Sequence, residues 1–150
     1  MHIMLTRPLE DSKELIIKFK SLGYDVSHLP VIKIIKQEIK DIDLLEFPGI
    51  IFTSANSVKF LDTKKINKSI YCFCVGSATE KEALNKGFQN VYAADGNVHN
   101  LKEIIIQNYN KKKGKLLYLS GELITSNLHK QLIDEDYQVE RIVNYNVEHI

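Results

Sequence analysis

The chain has 150 residues, 44% of them hydrophobic and 26% charged, which suits one ordinary core or two small lobes and is too balanced for disorder. Its 20 Lys and Arg against 19 Asp and Glu leave a formal charge of +1, so a chain-wide basic field for nucleic acid is absent. No apolar stretch approaches the roughly 20 residues of a membrane span, and MHIMLTRP begins as a strand instead of a signal peptide.

Short β-rich runs alternate with amphipathic helical segments, which predicts an α/β protein with a largely parallel sheet. HIMLT is the first strand. DSKELIIKFKSLG then places Leu15, Ile16, Phe19 and Leu22 on one helical face, with Gly23 positioned to end the helix. YDVSHLPVIKI follows as an extended segment that Pro30 marks as an edge or a linker. GIIFTS is the next strand and leads to a short helix around Asn56 to Leu61.

YCFCVGS is a further strand. Its Cys72 and Cys74 share one face, too close in sequence for a relaxed disulfide and without a second ligand pair for zinc. They are expected to be reduced core residues of a cytoplasmic protein. Ser77-Ala78-Thr79-Glu80 reads as a capping box, with the Ser77 hydroxyl accepting from the helix and Glu80 reaching back. FQNVYAA is strand-like, and Leu101, Ile104, Ile105 and Tyr109 form a helical stripe. NKKKGK reads as a solvated turn before the strand KLLYLSGE, and a helix over Asn127 to Ile133 leads into YQVERIVNYNV.

SLGYDV, NKGFQNV and DEDYQV each join a helix end to a strand through an aromatic residue. Repeated helix-to-strand packing accounts for this without shared function. The stretches after Tyr24 and after Tyr137 also resemble each other, and both continue as extended apolar segments. Side by side they would form a paired linker, with the block between them inserted into another domain.

Four strand ends carry small polar groups: Thr6-Arg7-Pro8, Thr53-Ser54-Ala55-Asn56, Val75-Gly76-Ser77-Ala78-Thr79 and Leu119-Ser120-Gly121-Glu122. Helix capping explains each taken singly. Together along the carboxyl edge of one sheet they would form an anion-recognising cleft, because amides at the following helix N-termini attract carboxylate or phosphate. Arg7 is the one cation at such an end, and a salt bridge closing the first turn is its alternative role. No Gly-Lys-Ser/Thr follows VGSAT and no G-x-G-x-x-G follows the first strand, so nucleotide fingerprints are missing. The five histidines are scattered without ligand spacing, and no nucleophile with a recognisable base is present.

In order, these motifs resemble uroporphyrinogen-III synthase. Leu5-Thr6-Arg7-Pro8 resembles that family's opening strand, and Ile51-Phe52-Thr53-Ser54-Ala55-Asn56-Ser57-Val58 its strongest signature. Val75-Gly76-Ser77-Ala78-Thr79 with Gly87-Phe88, Leu117-Tyr118-Leu119-Ser120-Gly121-Glu122 and Val143-Asn144-Tyr145 resemble three further elements. The resemblance implies two flavodoxin-like α/β lobes, mostly parallel sheets with flanking helices, joined by a two-stranded β-linker. A partial first domain would comprise residues 1–34 and 143–150, and an inserted second domain residues 35–142. Family members continue beyond the return linker with further strands, so part of the first domain is expected to be missing from a chain ending at Ile150.

The family's reaction closes hydroxymethylbilane, a linear tetrapyrrole, with loss of water and inversion of the last ring through a spiro intermediate. The resemblance implies a lyase without cofactor or metal, in the cytoplasm, acting in haem biosynthesis and taking its substrate by transient handover from hydroxymethylbilane synthase. Neither nucleic acid nor membrane is implied as a partner. Tyr145 matches the family's linker tyrosine and is the candidate for assisting hydroxyl departure, with packing on the domain as its alternative. Thr6, Arg7, Ser54, Ala55, Asn56, Gly76, Ser77, Thr79 and Gly121 are the candidate substrate contacts. A non-catalytic binding module or a truncated remnant that recognises an anionic small molecule stays open beside the enzyme.

Overall fold

The computed structural model describes residues 2–6, 9–28, 32–39 and 44–149. Arg7 and Pro30 lie outside the described residues. The chain divides into two compact units, residues 1–35 with 146–150 and residues 36–145.

In the first unit β1 (His2–Leu5) and β2 (Asp25–His28) pair in parallel from His2↔Asp25 to Leu5↔His28, connected by α1 (Leu9–Ser21). Gly23 takes φ +86°, and the Tyr24 amide donates to the Phe19 carbonyl at 3.1 Å, which closes the helix end as its sequence predicts. The expected four-residue face is only half realised. Ile16 and Phe19 are partly buried, whereas Leu15 is 37% and Leu22 63% exposed. Among the described elements α1 packs on β1 and β2.

The remaining strands form one sheet. They are β3 (Ile32–Lys36), β4 (Gly49–Phe52), β5 (Tyr71–Val75), β6 (Asn90–Ala94), β7 (Leu116–Gly121) and β8 (Val139–His149), in the order β3-β8-β7-β4-β5-β6. The pairs β7/β8, β4/β7, β4/β5 and β5/β6 are all parallel. β3 and β8 are neighbours, as the paired linker segments require, and the Gln37 amide donates to the Asn144 carbonyl at 2.9 Å.

The second unit also holds α2 (Ala55–Lys59), α3 (Ser77–Asn85), α4 (Val98–Asn108) and α5 (Leu128–Asp134). Alternation along the strands divides its core between the two faces of the sheet. Ile50, Phe52, Cys72, Cys74, Leu117 and Leu119 pack with Val58 of α2 and Ala83 of α3. Ile51, Phe73, Leu116 and Tyr118 pack with Leu101 and Ile105 of α4 and Leu128 and Leu132 of α5. Each large apolar side chain buried in this way contributes roughly 1.5–3 kcal/mol of transfer free energy. The result is the doubly wound layout expected for the lobe. Its parallel strands, counted from β4, run 3-2-1-4-5, a different order from the 2-1-3-4-5 of flavodoxin.

One local expectation holds and another does not. The Cys72 and Cys74 sulfurs are buried and 3.7 Å apart, and their mutual hydrogen bond and burial hold the Cys72 thiol protonated. The capping box does not form. Gly76, at φ +88°, is the cap and Ser77 is already helical. The Gly76 carbonyl accepts from the Glu80 amide at 3.1 Å, and its own amide donates to the Ala94 carbonyl at 3.0 Å. Both backbone groups of the cap are therefore satisfied without the Ser77 hydroxyl.

Candidate functional site

From β4 the chain winds to β5 and β6 on one side of the sheet and returns to β7 and β8 on the other. The carboxyl ends of β4 and β7 are thus neighbours whose following segments diverge, and such a switch point leaves a crevice. A cavity of about 650 Å³ lies there.

Thr53 and Ser54 line it from the end of β4, Val75 from β5, Tyr118 and Gly121 from β7, and Tyr145 from β8. Gly96, Asn97, Val98 and His99 enter at the start of α4, and Leu123 to Ser126 and Gln131 complete the wall. Its lining mixes hydroxyls, amides, one imidazole and the first turn of α4 with the apolar Val75, Val98, Leu123 and Ile124, and no carboxylate belongs to it. The N-terminal end of a helix beside neutral donors favours anions.

Local structure fixes each part. Ser54, in extended conformation, caps α2 by accepting from the Asn56 amide at 3.2 Å. Asn97 caps α4 by accepting from the Asn100 amide at 2.9 Å. The Thr53 and Tyr118 hydroxyls are 3.0 Å apart. Burial raises the Tyr118 pKa, opposed only in part by that hydrogen bond and by the charge of Arg141, so the phenol is neutral. Arg141 is itself engaged, with Nε donating to Ser120 Oγ at 2.9 Å and its terminal nitrogen to the Gly121 and Glu122 carbonyls at 2.8 and 2.9 Å.

Of the candidates named from sequence, Ser54, Gly121 and Tyr145 meet at this cavity. Ala55 and Asn56 open α2 behind Ser54, and Gly76, Ser77 and Thr79 stand at or in the start of α3, with Thr79 buried. None of these five lines the cavity. Thr6 follows β1 in the other unit, so the four polar strand ends do not share one sheet: β1 pairs with β2 alone among the described strands. Tyr118, Asn97, His99, Thr125, Ser126 and Gln131 are lining residues that the sequence reading did not single out. Asp95-Gly96-Asn97 did carry a usable signal, a strand followed by a turn and a capping asparagine.

Among the described residues no three His, Cys, Asp or Glu side chains converge to hold a metal ion, and no described helix is long and apolar enough to cross a membrane.

Comparison with curated proteins yields no match. Among solved structures, a uroporphyrinogen-III synthetase from Helicobacter pylori aligns over 99% of this chain at 19% identity with a TM-score of 0.66. Two crystal forms of the uroporphyrinogen III synthase of Thermus thermophilus, a mutant and the wild type, align over 100% of the chain at 14% identity, with TM-scores of 0.61 and 0.55. At these identities the likeness establishes the fold. The chain spans 62% to 64% of the length of those proteins. The family model described as uroporphyrinogen-III synthase HemD matches residues 13–150, nearly the whole chain. The chain belongs to the uroporphyrinogen-III synthase family.

Proposed function

We propose that this chain carries the second-domain side of a uroporphyrinogen-III synthase site, which closes hydroxymethylbilane to uroporphyrinogen III with loss of water and inversion of ring D. The observation that carries the reading is the chemistry of the cavity at the β4/β7 switch point. Neutral donors and a helix N-terminus suit acetate and propionate groups, and no lining carboxylate repels them.

The reaction needs little else from the protein. The electron pair of a pyrrole nitrogen expels hydroxide and leaves an azafulvenium cation, and ring closure follows at the substituted carbon. Holding that carbon within reach is a matter of orientation more than of nucleophilic attack. In this reading Tyr145 donates to the departing oxygen or presents its ring face to the cation. The amides after Ser54, Gly76 and Gly121 hold carboxylates, with Ala55, Asn56, Ser77 and Thr79 supporting those turns. The domain division at residues 34/35 and 142/143, a cytoplasmic setting and handover from hydroxymethylbilane synthase belong to the same proposal.

The test is a coupled assay in which hydroxymethylbilane synthase supplies the substrate and products are separated as type-I and type-III isomers. Type-III product above the spontaneous type-I background supports the enzyme. Full type-III formation by Tyr145→Phe would remove the leaving-group role from Tyr145. Substrate binding with type-I product only would instead support a non-catalytic binding module.

A further inference from the structure

The pairing of β7 with β8 proceeds in step through Leu119↔Ile142 and Ser120↔Val143 and then jumps to Gly121↔Tyr145. Asn144 is the extra residue, so β8 carries a bulge one position before Tyr145. A bulge shifts the side-chain alternation of a strand and re-aims the side chains beyond it.

This bulge is held from two sides. Asn144 is 1% exposed, its Nδ2 donates to the Ser57 carbonyl of α2 at 2.8 Å, and its own carbonyl accepts from Gln37. Beyond it the Tyr145 carbonyl accepts from the Glu122 amide at 3.1 Å. The phenol end of the re-aimed ring then lies against Gly121. A Cβ on Gly121 would stand 2.7 Å from Tyr145 Cζ, 2.9 Å from Cε2 and 2.9 Å from the hydroxyl, and these three are its nearest neighbours. The three atoms nearest the space above Gly121 thus all belong to Tyr145.

We infer that Gly121 and the Asn144 bulge are positioning residues that seat Tyr145 in the cavity, and that Gly121 is glycine to leave room for that ring. The inference rests on the proposed role of Tyr145 for its catalytic meaning and on geometry alone for the seat. Backbone conformation gives no competing reason, since Gly121 is not among the glycines with positive φ.

The test is a mutant cycle on the chain with Gly121→Ala, Tyr145→Ala and the double variant. Gly121→Ala is expected to lower the urea midpoint of unfolding, and in the Tyr145→Ala background the same change is expected to have little or no effect. If Gly121→Ala does not fold, the double variant is expected to restore folding. Equal losses in both backgrounds, or failure of both to fold, would overturn the seat. In chain labelled with ¹³C at tyrosine phenol carbons, the Tyr145 signal, identified by its loss in Tyr145→Phe, is expected to move in Gly121→Ala and in Asn144→Ala. An unmoved signal in both overturns the inference.

Type-III formation separates this from the functional proposal. With an active chain, Gly121→Ala is expected to lower kcat at least tenfold with KM little changed, and to add nothing to Tyr145→Ala. If the wild-type chain forms no type-III isomer, the functional reading fails, while the stability cycle and the phenol signal still decide the seat.

Discussion

The Thr53 hydroxyl at the end of β4 stands 3.0 Å from the Tyr118 hydroxyl of β7, so two strands on either side of the switch point are joined at the cavity they line. Tyr118 is 1% exposed. Tyr118→Phe and Thr53→Val should each cost about 1 kcal/mol of folding stability. The double variant should cost less than their sum, because the second change removes a group already unpartnered. Strict additivity in urea unfolding would mean that the two hydroxyls do not share a bond.

Tyr118 also meets His129, with ring centroids 6.2 Å apart and the rings near edge-to-face. Its buried Nδ1 has no hydrogen-bond partner, and burial first, then the charges of Arg141 and Lys130, lower its pKa below the ordinary 6.5. A lowered pKa means that the unfolded chain takes up the proton first as pH falls. His129 therefore supports full stability above pH 6.5, and this support is lost as pH falls through its folded-state pKa. Urea midpoints measured from about pH 7 to about pH 5 should fall more steeply for the wild type than for His129→Phe. Parallel curves would show that His129 is not the acid-sensitive group.

The sequence announces the sheet more clearly than the cavity, for a physical reason. Runs such as GIIF and LLYLSG are apolar on both faces because the strands are covered by helices on both sides, and that pattern needs no knowledge of the fold to be read. Ser54, Gly121 and Tyr145 were legible because each ends or follows such a run. Tyr118 was not, since a tyrosine inside a buried strand looks like core until Thr53 is seen opposite its hydroxyl. Gln131 and Ser126 reach the cavity only through the path of the loop after β7, which local sequence does not determine. The Ser77 capping box failed because Gly76, free to adopt φ +88°, begins the helix one residue earlier. The strand-end argument for Thr6 failed at the level of topology: the motif is as expected, but its strand belongs to another sheet.

Arg141 ties the end of β7 to β8 through three hydrogen bonds, to Ser120 Oγ and to the Gly121 and Glu122 carbonyls. The two carbonyls are reached by one terminal nitrogen while Nε turns to the hydroxyl, a division that uses the planar fork of a guanidinium. Arg141→Met should destabilise the chain by about 2 kcal/mol, within the range expected for a lost charged donor with two part-buried acceptors and one exposed one. Arg141→Lys should recover little of it, because a single ammonium cannot span all three acceptors. A lysine variant as stable as the wild type in urea unfolding would show that charge, and not geometry, is what the position requires.

Tyr109 follows α4 with 2% of its surface exposed, its hydroxyl donating to the Gly114 carbonyl at 2.9 Å and its own carbonyl accepting from the Tyr137 hydroxyl at 2.9 Å. Burial, followed by the neighbouring Tyr71 and Tyr137, pushes its pKa from 10 up to about 12. Above pH 10 the unfolded chain therefore releases a proton that the folded chain still holds. The stability from Tyr109 is complete below pH 10 and is lost as pH rises toward about 12, and the raised pKa values of Tyr118 and Tyr137 act in the same direction. Tyr109→Phe should be less stable at neutral pH by about 1 kcal/mol, from the lost bond to Gly114. It should also lose stability less steeply in alkali, so that the difference between the two proteins narrows as pH rises. Urea midpoints across that range, with phenolate absorbance followed in parallel, check both parts. A gap that stays constant would assign the alkaline loss to other tyrosines.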